Sequence, residues 1–146
     1  MRLAILPLLL LTASTLSAQT KPEDAIRYRQ SAYTVLLWNW MPMNAMVRER
    51  IPFDAAEFAR RAERVAHIAP QLLEGFPKGS DSGAKTDAKA EIWVGFADFT
   101  SKMKDFERES ALLASTAKGG DKAAIKAQFG KTGGTCKACH DLYKAE

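Results

Sequence analysis

Both cysteines of the chain lie in its closing stretch, GGTCKACHDLYKAE: Cys136 and Cys139 bracket two residues, His140 follows directly, and six residues remain. Residues three apart share one face of a helix. A helical turn carrying two thiols beside an imidazole must leave room for whatever those groups hold, and the rest of the chain has to fold around that room. Three chemistries use a C-x-x-C spacing. A thioredoxin-like redox pair sits in a βαβ context, and no run alternating apolar and polar residues flanks this motif. Structural zinc takes four ligands, usually from two such pairs, and only the distant His67 remains to join Cys136, Cys139 and His140. The remaining reading is C-x-x-C-H as covalent attachment of a c-type haem, with both sulfurs bonded to vinyl groups and the histidine ligating the iron. Against it stands a simple disulfide or a pair of free thiols, which leaves His140 without a role.

The opposite end carries an independent signal. MRLAILPLLLLTASTLSAQT has a basic residue at Arg2, an apolar run from Leu3 to Leu11, and small and polar residues ending at Ser17 and Ala18. This is the layout of a secretory signal peptide, with Leu16 and Ala18 at the recognition positions and cleavage expected after Ala18. The apolar run is too short to span a bilayer. The expected domains are therefore a signal peptide at 1–18 and a mature unit at 19–146, exported to the periplasm. In bacteria c-type haem is attached outside the cytoplasmic membrane, so both ends of the chain point to one compartment.

Residues 19–146 amount to one domain. The formal net charge of +4 is small, and acidic residues alternate with basic ones in RERIPFDAAEFARRAERV and KMKDFERES, as on solvated helix faces. Nucleic acid is not an expected partner. Helical periodicity dominates. Pro22, Glu23 and Asp24 suit the first turn of a helix running to about Arg48. Asp54 is placed to N-cap a second helix over FDAAEFARRAERVAHIAPQLLEGF, whose apolar residues Phe58, Ala62, Val65 and Ile68 fall on one face. PKGSDSGAKTDAK reads as a loop. A long third helix follows from AEIWV to Gly119-Gly120, and a fourth, N-capped by Asp121, carries the cysteines. Four helices with short connections and no strand predict an all-α antiparallel four-helix bundle. Gly130, Gly133 and Gly134 cost helix stability, so either the fourth helix breaks near Gly133 or a flat ring lies close against it.

The chain resembles the class II cytochromes c, and within them the high-spin cytochromes c′. The residues that carry the likeness are KPEDAIRYRQSA at the start of the first helix, EIW at the start of the third, and FGKTGGTCKACHDLY at the end. The resemblance implies one covalent haem c, with Cys136 and Cys139 as attachment points and His140 as the iron ligand. Low-spin members carry a methionine ligand about where Tyr33 stands here. Met41 lies eight residues beyond Tyr33, roughly 12 Å along a helix, too far to serve the same iron, and Met103 fits the commoner role of core filler. The iron is therefore expected to be five-coordinate, with Tyr33 across its distal face. By the same resemblance Arg29 pairs with a haem propionate, Gln30 assists, and Trp93 and Phe96 pack around the ring together with Phe99 and Phe129. Lys144 stands where the family often has arginine, and a lysine is a point donor and not a fork.

The implied function is binding of diatomic gases, nitric oxide or carbon monoxide, and/or transfer of electrons to an unidentified redox partner. The alternative is a low-spin class II cytochrome acting as a dedicated electron carrier. Catalysis is not expected, since a tyrosine with a pKa near 10 is a poor base. The first helix reads AYTVLLWNWMPMNAMV, apolar on nearly every face, and the resemblance implies a homodimer formed through it. Pro42 within that stretch removes one hydrogen bond and crowds the carbonyl of Trp38, which predicts a kink.

Overall fold

The structure, a computed structural model, describes residues 20–145; the signal peptide expected at 1–18 lies outside them. Helix α1 spans Pro22–Val47, with Lys21 extended before it, Pro22 in its opening turn and Glu23 and Asp24 behind. Helix α2 spans Ala55–Ile68 and is capped as expected, Asp54 accepting from the Glu57 amide at 2.9 Å. Helix α5 spans Lys122–Tyr143, with the Asp121 carboxylate accepting from the amides of Ala123 and Ala124. It does not break at Gly133. A methyl at Gly133 would make ordinary contact with Trp40, and one at Gly130 or Gly134 would meet nothing within 4 Å, so no contact within the protein explains those glycines.

Two expected boundaries shift. The second helix, expected to continue through PQLLEGF, gives way to a 3-10 turn at Ala69–Gly75. Pro70 has no amide to continue the ladder. The third helix divides at Gly95 into a short α3, Glu91–Val94, and a long α4, Phe96–Lys118. Gly95 leaves helical geometry at φ −105°, ψ 37°, and a side chain there would touch the Tyr143 hydroxyl at 3.4 Å. The glycine breaks the helix and seats the tyrosine that ends α5.

Helices α1, α2, α4 and α5 form the expected bundle, with α4 packed on both α2 and α5. No strand forms among the described residues, which hold one isolated bridge between Ala88 and Lys144. The shared core includes Phe58, Val65, Leu72, Phe99, Leu113 and Ile125, all essentially inaccessible. The 3-10 turn presses on α1 at Gly75, where a Cβ would stand 2.5 Å from that of Arg29; only glycine permits that approach. Helices α1 and α5 meet where the Trp40 indole stacks on Phe129 at 4.1 Å.

Helix α1 runs through Pro42 without ending. The carbonyl that the proline leaves without an intrahelical donor, Trp38 O, accepts from Arg61 Nη1 on α2 at 3.0 Å, while Arg61 Nε is held by Glu57 Oε1 at 2.5 Å. A defect in one helix is thus repaired by its neighbour. Arg61→Ala should destabilise the protein by about 1 kcal/mol, the usual net value of one such hydrogen bond. In a Pro42→Ala background the cost should shrink, because the alanine amide then donates to Trp38 O within the helix. Denaturant unfolding of the four proteins of this cycle measures the coupling; equal costs in both backgrounds would contradict the repair.

Candidate functional site

A cavity of about 540 Å³ opens between α1 and α5. Tyr33, Leu36 and Trp40 of α1 face Cys136, Cys139 and His140 of α5 across it, and Phe99, Met103 and Phe106 of α4 form its back wall. The loop at Thr86, Asp87 and Ala88 makes one lip. That lip is tied to the end of α5, the Lys89 amide donating to Tyr143 O at 3.0 Å and the Ala145 amide to Asp87 O at 2.8 Å.

Cys136 and Cys139 are free thiols, half-buried on the cavity wall, so the disulfide reading does not describe this structure. Burial pushes both thiols up to about 11, with Lys102 pulling Cys139 the other way. His140 sits at the rim, and its imidazole has no hydrogen-bond partner among the described residues. Burial, with Lys144 nearby, lowers its pKa. A neutral imidazole offers a nitrogen lone pair to a metal. Two unpaired thiols, one unengaged imidazole and an apolar cavity on a single helical turn fit a covalently attached, flat, largely apolar group.

Tyr33 is half-buried opposite, and its only polar partner among the described residues is Met103 Sδ, 3.9 Å from the phenol oxygen. Burial, with the two nearby thiols adding to it, drives the phenol well above its ordinary range. Met41, excluded by spacing, is not on the cavity wall, and neither are Met43 and Met46; Met103, assigned to core filling, is.

Arg29 also lines the cavity, although it is only 3% exposed. Its Nη1 donates to Gly75 O at 3.1 Å and Ser80 O at 2.9 Å, its Nη2 to Thr86 Oγ1 at 2.8 Å. The guanidinium lies over Phe76 at 5.0 Å and Trp93 at 5.5 Å. No carboxylate pairs with it among the described residues. Gln30, exposed, reaches Lys85 O at 3.0 Å on the same loop. Trp93 and Phe96 stand outside the lining: Trp93 donates to Pro77 O at 2.9 Å and Phe96 leans on Phe99, half in solvent. Phe129 likewise lies behind Trp40. Leu36, Leu72, Ile92 and Phe106 line the cavity without having been singled out from sequence, where they look like any core residue.

Cys136→Ala or Cys139→Ala should reduce covalent haem retention and helicity, since the ring would otherwise fill this cavity. Pyridine haemochrome assay with far-UV circular dichroism checks both effects; a fully helical, stable double variant lacking haem would overturn the link between filling and folding.

The family model described as Cytochrome C′ matches residues 24–144. The cytochrome c′ of Halomonas halodenitrificans is 42% identical over 131 residues, covering 86% of this chain and 99% of its own. That of Rubrivivax gelatinosus is 40% identical over 124 residues, covering 85% and 96%. Among solved structures, cytochrome c prime from Shewanella frigidimarina superposes with a TM-score of 0.84 at 46% identity, covering 88% of this chain and 99% of that one. A nitric oxide complex of a variant of the Alcaligenes xylosoxidans protein gives a TM-score of 0.79 at 35% identity, covering 87% and 98%. Sequence and fold agree over nearly all the described residues, and the chain belongs to the cytochrome c′ family, with haem c as its covalent cofactor.

Proposed function

We propose that this is a periplasmic haem protein that binds diatomic gases, nitric oxide foremost, and passes electrons to a partner still to be identified. When bound, haem c supplies an iron that, five-coordinate and high-spin, takes a small gas at its open position or cycles between Fe(III) and Fe(II). The observation that carries the reading is the arrangement across the cavity: one imidazole, His140, on α5, and an aromatic ring, Tyr33, on α1 where a second ligand would otherwise stand. Cys136 and Cys139 fix the group to α5. Arg29 is a buried cation without a carboxylate, and a buried charge asks for an opposite one; a propionate would supply it. Gln30 braces the loop beside it. Trp93 acts through Arg29 and not by touching the ring.

Tyr33 excludes bulky ligands and water from the distal side, and any gas must move its ring. With its phenol held neutral above the ordinary range, it is an even poorer base than a free tyrosine, which supports binding and not catalysis. The nitric oxide complex of the Alcaligenes relative supports the choice of gas. The leader at 1–18 supports export, and among the described residues no helix is long and apolar enough to cross a membrane.

The outer face of α1 exposes Val35, Trp38 and Met41, with Trp38 74% accessible. A second copy of the chain covering this face makes the homodimer that the family resemblance implies. The native protein should sediment as a dimer at micromolar concentration, and Trp38→Glu should shift it toward monomer; a native monomer would remove the dimer.

The reduced protein should show the broad or split Soret band of high-spin iron, whereas sharp low-spin bands would favour the electron-carrier alternative. Tyr33→Ala should bind carbon monoxide at least about tenfold more tightly, and faster, because the cost of displacing a packed ring is gone. Flash photolysis and titration check this. Unchanged affinity and on-rate would place Tyr33 outside the path of the gas.

A further inference from the structure

Tyr33 reaches the cavity from α1, and the sulfur it meets belongs to α4. Met103 is 5% exposed and lies between Phe99 and Phe106, one turn to either side on the same cavity wall. The phenol oxygen has no other polar partner among the described residues: Arg29 is engaged with the loop, and the hydroxyl of Thr34 turns back to Gln30 O. A hydroxyl left unpaired against apolar walls is costly, so even a weak sulfur acceptor decides where the ring rests. The contact also bridges the two helices that would have to yield when the ring moves.

We propose that Met103 is a positioning residue for gas entry: its thioether accepts the Tyr33 hydroxyl and holds the phenol across the cavity, so that a ligand must break this contact before it can bind. This rests on the placement of Tyr33 in the gas path. Met103 does not touch the gas. It sets the energy of the closed arrangement, and this cavity is thereby slower to admit a ligand than one closed by an untethered ring.

Four single variants of the haem-loaded protein, with one double variant, test it, and carbon monoxide is the probe. Met103→Leu conserves volume and removes the acceptor, and should raise the association rate about threefold to tenfold, the range that one net hydrogen bond gives. Tyr33→Phe, which keeps the ring and removes the donor, should raise it equally. The Met103→Leu, Tyr33→Phe double variant should show no further gain, since both changes break one contact. Met103→Gln restores an oxygen acceptor of similar reach and should return the slow rate, which a purely packing role would not do. Unchanged kinetics in Met103→Leu, or additive effects in the double variant, would overturn the tether. If Tyr33→Ala is fast while Met103→Leu is not, the tether fails and the gas path stands; if Tyr33→Ala is itself unchanged, the placement of Tyr33 fails. Low-spin bands in Tyr33→Phe that vanish in the double variant would also overturn the proposal, by making the sulfur an iron ligand and not an acceptor.

Discussion

The cavity between α1 and α5 is the constraint on which the rest of the structure depends. Protein interiors are close-packed, and a void costs roughly 24 cal/mol per Å³. A dry space of about 540 Å³ would on that scale cost on the order of 10 kcal/mol, comparable with the whole stability of a domain. Water entering through the open mouth lowers the figure but finds few polar partners on walls made of Leu36, Phe99, Met103 and Phe106. The bundle is therefore an incomplete core that haem c completes. The covalent attachment through α5 makes the filler part of the chain, so the core cannot lose it by dissociation.

Because the cavity keeps α1 and α5 apart beside the cysteines, its walls need other supports, and most are polar. Arg29 gathers the 3-10 turn, Ser80 and Thr86 against α1. The end of α5 binds the same loop through its backbone, and Tyr143 Oη donates to Asp98 Oδ2 at 2.6 Å to anchor α5 on the start of α4. That contact, and burial, push the Tyr143 phenol up to about 12. The loop read from sequence as featureless Gly, Ser, Asp and Lys is thus tied down at both edges. Its composition was legible as a loop, but its attachment was not, since the partners of Arg29 lie 46 to 57 residues away in sequence.

What the sequence revealed follows the range of the forces involved. Caps at Asp54 and Asp121 and the proline at Pro22 act within one turn, and all stand where local chemistry put them. The motif at Cys136, Cys139 and His140 declares itself because no other chemistry uses that spacing with that neighbour. The division at Gly95 and the 3-10 turn at Pro70 were written in residues whose effect depends on what packs nearby, Tyr143 in the first case and α1 in the second. Cavity walls were the least legible: Leu36 and Ile92 border it while Trp93 and Phe96 do not, and all four are apolar residues at helical spacing.

Pro42 has a meaning beyond the hydrogen bond it removes. Along α1 most carbonyls are already satisfied within the helix, and Trp38 O is one that the proline leaves open, so Arg61 meets an unengaged acceptor at one height and one azimuth. Sliding α1 by a turn moves that carbonyl about 5.4 Å and leaves both groups stranded; rotating α1 to hide the Trp38 indole breaks the same contact. The proline therefore works as a notch into which α2 keys. It excludes slipped and rotated bundles that apolar packing alone would tolerate, and it commits the indole to the outside of the molecule.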